Sequence, residues 1–163
     1  MDLKAIGVIH SPFFEQAGTP IQGALAPDTS AEVEVLPEYA DGLEDLDGFD
    51  YIWLIYGFDR SKGYELRVRP YMDDALRGLF ATRAPRRPNP IGMTLVRLVG
   101  RRANVLDIAE VDILDGTPLY DIKPYIPNVD RRPEPVRVGW LEGKMKPRQT
   151  APADDRFSEK GSD

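Results

Sequence analysis

Tyr51-Ile52-Trp53-Leu54-Ile55-Tyr56-Gly57-Phe58 is the longest uninterrupted apolar run in the chain. β-Branched and aromatic side chains dominate it, which favours a strand. Apolar residues at every position suit a central strand buried on both faces or covered by a partner subunit. Its tyrosine hydroxyls would need hydrogen-bond partners if buried. The run is far short of the roughly 20 residues that cross a bilayer as a helix. Runs of the same kind recur on either side of it, at 6–9, 31–36, 65–69, 78–82, 94–99, 105–113 and 136–140, separated by Gly, Pro and Asp. In 105–113 the first half is apolar on both faces and the second alternates, as in a strand that enters a closed core and emerges at a rim. Only 37–46 and 73–79 read as helical turns, and 15 prolines and 14 glycines argue against long helices. The succession predicts a mainly β chain, an antiparallel barrel or sandwich.

At 163 residues the chain has the length of one domain. We expect that domain over 1–143. From Lys144 onward apolar periodicity is lost, and 144–163 reads as a flexible tail. Cysteine is absent and His10 is the single histidine. This removes disulfides, thiolate catalysis, Cys-based metal sites and a multi-histidine metal cage within one subunit, so no metal is expected. The start, Met1-Asp2-Leu3-Lys4, has neither a basic n-region nor a long apolar h-region, and a cytoplasmic protein is expected. The net charge of −6 is unevenly spread. Residues 1–59 hold Lys4 as their one basic residue, whereas 60–102 hold eleven basic against three acidic residues. A phosphate-bearing partner would use such a zone, although two oppositely charged surfaces that neutralise each other are an equal alternative.

No two glycines stand two apart and no Gly-Lys-Ser/Thr occurs, so dinucleotide and phosphate-loop fingerprints are absent. A Ser/His/Asp triad would need His10 beside Ser11, which point to opposite faces of a strand. His10 therefore reads as a strand-end residue that bonds locally. Two segments remain. In Phe80-Ala81-Thr82-Arg83-Ala84-Pro85-Arg86-Arg87-Pro88-Asn89-Pro90-Ile91-Gly92, three prolines fix φ at about −65° and make the loop rigid. Arg83, Arg86 and Arg87 offer planar donors for carboxylate or phosphate, and Asn89 can read a base edge. An arginine-anchored structural turn is the competing reading. In 112–125, an Asp115-Gly116-Thr117-Pro118 turn is crowded by Asp112, Asp121, Lys123, Tyr120 and Tyr125, which together suit a positively charged ligand. A plain hairpin turn is the alternative there. Gly18-Thr19-Pro20-Ile21-Gln22-Gly23 is a weaker third feature.

Ile6-Gly7-Val8-Ile9-His10-Ser11-Pro12-Phe13, Phe80-Ala81-Thr82-Arg83 with Arg87-Pro88-Asn89-Pro90-Ile91-Gly92, and Asp115-Gly116-Thr117-Pro118 with Asp121-Ile122-Lys123-Pro124-Tyr125 stand in order across about 120 residues. In these motifs the chain resembles the TsaA-like family, which includes the S-adenosylmethionine-dependent tRNA N6-threonylcarbamoyladenosine methyltransferases. The resemblance implies a small six-stranded antiparallel β-barrel with short helical turns that forms a homodimer. It implies S-adenosyl-L-methionine as cofactor and adenosine 37 in the anticodon loop of tRNA as acceptor. Carried over residue by residue, it puts the cofactor against Pro20, Ile21, Gln22, Asp59, Arg60, Arg83, Met93, Asp112, Ile113, Leu114 and Asp115. Asp115 or Asp121, with Tyr125 as an alternative orienter, would take or orient the N6 proton. Arg86 or Arg87 would clamp the threonyl carboxylate, with Asn89 and Lys123 also toward the substrate. Arg60, Arg67, Arg69, Arg97, Arg101 and Arg102 would follow flanking phosphates. Two departures bear on the acceptor: Ile21 replaces a family arginine, and the second, C-terminal domain of longer members is not expected here. Two alternatives stay open, a methyltransferase of this fold with a small acceptor and a non-catalytic barrel that binds nucleotide or RNA.

Overall fold

The computed structural model describes residues 2–21 and 23–144. Among these, eight strands form in chain order: β1 (Gly7–His10), β2 (Ser30–Val35), β3 (Tyr51–Gly57), β4 (Arg67–Val68), β5 (Arg77–Gly78), β6 (Ile91–Arg102), β7 (Val105–Ala109) and β8 (Thr117–Pro124). Six of them close an antiparallel barrel in the order β1-β2-β7-β6-β3-β8, and β4 pairs with β5 apart from it. Closure falls to β8, which pairs Leu119 with Gly7 of β1 on one edge and Lys123 with Trp53 of β3 on the other. No sheet edge in the barrel is then left open.

Period-2 alternation fixes the inside. Ala31, Val33 and Val35 of β2 point inward between outward Ser30, Glu32 and Glu34. They meet Ile9, Ile52, Leu54, Val96, Leu106, Ile108 and Leu119 in one core. The apolar run in β3 obeys the same rule, with Ile52, Leu54 and Tyr56 buried while Tyr51, Trp53 and Ile55 lie half-exposed on the outer wall. It is therefore covered on one face by the core and not on both.

Several elements differ from expectation for local reasons. The strand expected over 105–113 stops at Ala109, because Glu110 adopts a left-handed conformation (φ 65°). Thr29 fixes that break: its carbonyl accepts the Glu110 N–H (3.0 Å) and its Oγ1 accepts the Val111 N–H (2.9 Å). Of 78–82 only Gly78 is strand, and Leu79–Ala81 is a 3-10 turn. Residues 73–78 form no helix: the Asp73 carboxylate accepts the Ala75 N–H, a local bond that competes with a helix, and Arg77–Gly78 pair as β5. Residues 136–140 form no strand and end in the 3-10 turn Gly139–Leu141. The 117–124 segment, read as a charged turn, is strand β8 with its prolines near the two ends. The helical turn expected at 37–46 is the 3-10 segment Pro37–Leu43. Residues 145–163, most of the segment read as a tail, lie outside the described residues. No helix among the described residues is long and apolar enough to cross a membrane.

Leu106 is fully buried and Val99 is 59% exposed. Leu106→Ala should cost about 2–5 kcal/mol of stability and Val99→Ala less than about 0.5, as read by denaturant unfolding. Equal losses would overturn this assignment of inner and outer faces.

Candidate functional site

At one end of the barrel β1, β3 and β7 finish while β2, β6 and β8 begin. The loops between them enclose a cavity of about 1110 Å³ with Pro20, Ile21, Phe58, Met93, Ile113 and Leu114 among its walls. A smaller cavity of about 570 Å³ lies at the opposite end, between the 37–46 turns and the end of β8, against Tyr39, Leu43, Phe49 and Ile122. The larger one is the candidate site, because the proline loop, the 18–23 loop and the segment before the Asp-Gly turn all reach it.

Its floor is a hydrogen-bonded chain. Past the left-handed turn at Glu110, Asp112 turns to the cavity while Val111 and Ile113 stay in the core. Thr94 Oγ1 donates to Asp112 Oδ1 (2.9 Å), and the Tyr56 hydroxyl lies 3.1 Å from Thr94 Oγ1. With the threonine proton committed to the carboxylate, Tyr56 donates to Thr94. Burial lifts Asp112 to about 6, against the opposing pull of hydrogen bonds from Thr94 and the Gly23 N–H and of the Arg83 charge. Burial, and then the Asp112 charge, push the Tyr56 phenol well above its ordinary value. Gly92 pairs with Tyr56 across the sheet, and a Cβ there would run into the tyrosine ring. Its absence lets the ring lie along β6 and reach Thr94.

The walls are tied by side chains. Gln16 Nε2 donates to the Tyr71 hydroxyl (2.8 Å), joining two lining residues 55 positions apart. Arg60 donates through Nη1 to the Phe14 carbonyl (3.1 Å) and through Nη2 to the Asp115 carbonyl. Arg87 Nη1 donates to the carbonyls of Thr82 (3.0 Å), Ala84 (3.2 Å) and Leu79 (3.5 Å), and its guanidinium stands 5.7 Å from the Phe80 ring centroid. The Asp115 carboxylate turns away toward β1, accepting the Ser11 N–H (3.1 Å) beside His10 Nδ1 (3.8 Å). His10 bonds Glu34 across the strand pair (3.1 Å), as a local strand-end residue does.

Pro20, Ile21, Asp59, Arg60, Arg83, Arg87, Met93, Asp112, Ile113 and Leu114 therefore converge on one cavity. Gln22 lies outside the described residues. Asp115 adjoins the cavity through its carbonyl only, and neither Arg86 nor Asn89 lines it. Asp121, Lys123 and Tyr125 are not at this site: they sit at the far end of β8, where Asp121 and Lys123 pair at 2.8 Å and the Tyr125 ring packs on Tyr51 and Trp53. Nor do the expected phosphate contacts form one track. Arg101 and Arg102 lie at the opposite end of β6, with Arg102 held by Glu32 and Asp107. Arg97 pairs with Glu110, and Arg69 donates to the Asp74 carbonyl. Sequence reasoning missed Tyr56, Thr94, Gln16 and Tyr71. For the first two, the only signal was a pair of polar groups at inward positions of otherwise apolar strands.

A family model described as the tRNA-methyltransferase O N-terminal domain matches residues 8–131. A Pyrococcus abyssi protein named a probable S-adenosyl-L-methionine-binding protein is 54% identical over 154 residues, 94% of this chain and 83% of its own. The Escherichia coli tRNA (adenine(37)-N6)-methyltransferase is 37% identical over 141 residues, covering 80% of this chain and 60% of the enzyme. The crystal structure of TrmO from Pseudomonas aeruginosa superposes with a TM-score of 0.72 at 37% identity, covering 86% of this chain and 62% of that one. The chain thus spans about three fifths of these two longer relatives.

A carboxyl raised from 3.8 to about 6 holds its proton more tightly in the folded chain than in the unfolded one. Its stabilising contribution is full below about pH 4 and is lost as pH rises through about 6. Asp112→Asn lacks that loss and should gain on the natural chain by on the order of 3 kcal/mol between pH 4 and pH 7, followed by denaturant unfolding. A difference that stays constant over this range would contradict the burial of an ionisable Asp112.

Proposed function

The chain belongs to the family of the tRNA-methyltransferase O N-terminal domain, and from that membership we propose that it binds S-adenosyl-L-methionine in the larger cavity and methylates N6 of the modified adenosine at position 37 of tRNA. The observation that carries the reading is Asp112, a carboxylate set in the cavity floor with its ordinary donors in place and one face toward the cavity. The donor set fits the cofactor. A cationic sulfonium or ammonium is matched by Asp112, an adenine ring by apolar walls such as Ile21, Phe58 and Leu114, and a carboxylate by Arg60 or Arg83 at the exposed rim.

When bound, the sulfonium supplies the methyl group for an in-line displacement. The chain's own residues then have three tasks. Asp112, polarised through Thr94 and Tyr56, balances the cationic centre in a site screened less than bulk water. Arg60 and the Gln16–Tyr71 pair hold the loops that limit water. Arg87 holds the Thr82 and Ala84 carbonyls through Nη1 and also lines the cavity, where its guanidinium can meet the threonyl carboxylate. Asp121 and Tyr125 do not reach this cavity within one chain. They stand on an outer wall where Met93, Ile55 and Asp121 lie in one row and Leu95, Trp53 and Lys123 in the next. Met93, 55% exposed, belongs both to that wall and to the cavity. A second copy seated on the wall would therefore border the cavity, and we read the homodimer there. A cytoplasmic location would accord with action on tRNA.

Calorimetric titration with S-adenosylmethionine, with ATP as the control for adenosine affinity, tests the cofactor. Saturable binding of the former alone is expected. Asp112→Asn should weaken S-adenosylmethionine at least tenfold and the uncharged-sulfur product S-adenosylhomocysteine much less. Affinity of the natural chain for S-adenosylmethionine should rise as pH passes upward through about 6, because ionised Asp112 is the form a cation prefers. Equal weakening of both ligands would remove Asp112 from the sulfonium.

Methyl transfer to tRNA carrying threonylcarbamoyladenosine tests the acceptor and should fall steeply with salt. Salt-insensitive transfer would favour a small acceptor, the reading that the internally paired Arg97 and Arg102 support.

A further inference from the structure

Residues 131–138, which follow the barrel, form no strand or helix beyond the short turn Pro127–Asp130. They lead to Trp140, whose indole Nε1–H donates to the Ala81 carbonyl at 2.7 Å, joining positions 59 residues apart. The Arg77 guanidinium and the Lys144 ammonium stand 5.5 Å and 5.8 Å from the Trp140 ring centroid. Both cations also reach one carboxylate, Asp73, through Arg77 Nε (2.8 Å) and Lys144 Nζ (2.8 Å). Lys144 first and Arg77 next hold the Asp73 carboxyl far below the usual range. Asp73, Arg77, Lys144 and Trp140 thus form one linked cluster, which the indole bond ties to the cavity loop.

That loop needs outside support. Prolines at 85, 88 and 90 keep it out of a sheet; the Thr82 N–H serves the Leu79 carbonyl and the Phe58 N–H that of Pro90, and side chains serve others. Arg87 serves the carbonyls of 79, 82 and 84 from the cavity side, and Trp140 serves that of 81 from the other side. Two positions beyond Ala81, Arg83 lines the cavity, and its charge acts on Asp112 and Tyr56.

We propose that Trp140 is a positioning residue for the cavity, a strap that fastens the chain after the barrel onto the loop carrying Thr82 and Arg83, so that occupancy of the cavity and closure of the strap favour each other. The proposal rests on the reading of the cavity as an S-adenosylmethionine site. Ala81 is the exposed turn of a loop otherwise seated by Leu79 and Ala84 in a small cluster apart from the barrel core, so losing the indole bond frees that turn and leaves the barrel core untouched.

The test compares the natural chain with Trp140→Phe, which keeps a ring for the two cations and loses the N–H. With S-adenosylhomocysteine, calorimetry should show affinity about fivefold weaker in the variant, at an unchanged thermal midpoint. Hydrogen exchange of amides 79–84 should be faster in the ligand-free variant. In a Trp53→Phe chain, where Trp140 is the sole tryptophan, ligand should change the emission saturably. A natural chain that binds while Trp140→Phe binds equally well, with unchanged exchange, overturns the strap and leaves the cofactor reading standing. A natural chain that binds no S-adenosylmethionine overturns both. Should Trp140→Phe not fold, Asp73→Asn, which releases Arg77 and Lys144, is judged by the same affinity and exchange criteria.

Discussion

The carboxylate of Asp112 is the group around which the cavity end of the barrel is arranged, because an ionisable group enclosed there is costly unless several donors face it. Those donors come from distant parts of the chain: the Thr94 hydroxyl from β6, the Gly23 N–H from the first long loop, and the charge of Arg83 from the proline loop. Each imposes a local demand. Gly23 presses on the Glu110 carbonyl so closely that a Cβ there would collide with it. Gly92 leaves room for the Tyr56 ring. Glu110 takes a left-handed conformation that costs about 1–3 kcal/mol in a residue with a Cβ. Contacts of its carboxylate with Arg97 (3.5 Å) and the Tyr51 hydroxyl (3.4 Å), and the bond its N–H donates to the Thr29 carbonyl, offset that cost. Burial still prevails over the donors, which is why the carboxyl titrates near 6 and not below 4.

The barrel was legible because closure and alternation are both period-2 statements. β2, β3, β6 and the first half of the 105–113 run carry their inward residues in the sequence itself. What misled was interruption by side chains. Nothing local in Ala-Glu-Val-Asp-Ile marks a left-handed glutamate, since the cause, Thr29, lies 81 positions earlier in the chain. β8 was hidden for the opposite reason: Pro118, Asp121 and Pro124 signal a turn, whereas pairing on both edges imposes a strand. Val136 and Val138 have strand composition but no neighbouring strand to pair with, and they remain largely exposed.

For the site, the sequence located the loops better than the roles. Proline-rich and Asp-Gly segments stand out by composition, and they do converge. Which side chain serves the loop and which faces the cavity depends on where carbonyls lie, and the sequence carries no direct record of that. Arg87, expected at the substrate carboxylate, also holds loop carbonyls through Nη1, and the Asp115 carboxylate, expected at the reacting proton, accepts the Ser11 N–H. Tyr56 and Thr94 look like strand filling and become a relay because they meet across β3 and β6, 38 residues apart. The expected convergence of Asp121 and Tyr125 assumed that β8 is a short turn, and a full strand carries them to the other end.

Charge follows the same geometry. β3 spans roughly 20 Å, so groups at its two ends are separated by more than two Debye lengths at physiological salt, which is about 8 Å. Asp41, Glu44, Asp45 and Asp47, which contribute to the acidic balance of the sequence, sit around the end opposite the cavity. They lower the net charge without governing what approaches the other rim, where the cations Arg60, Lys62, Arg83 and Arg87 outnumber the carboxylates Glu15 and Asp59. Inside that rim the sign reverses at Asp112. An overall acidic chain can therefore carry a mainly cationic rim and a buried carboxylate within one opening. Solvent screens the outer set strongly and the inner carboxylate weakly, so salt acts on the first while pH near 6 acts on the second.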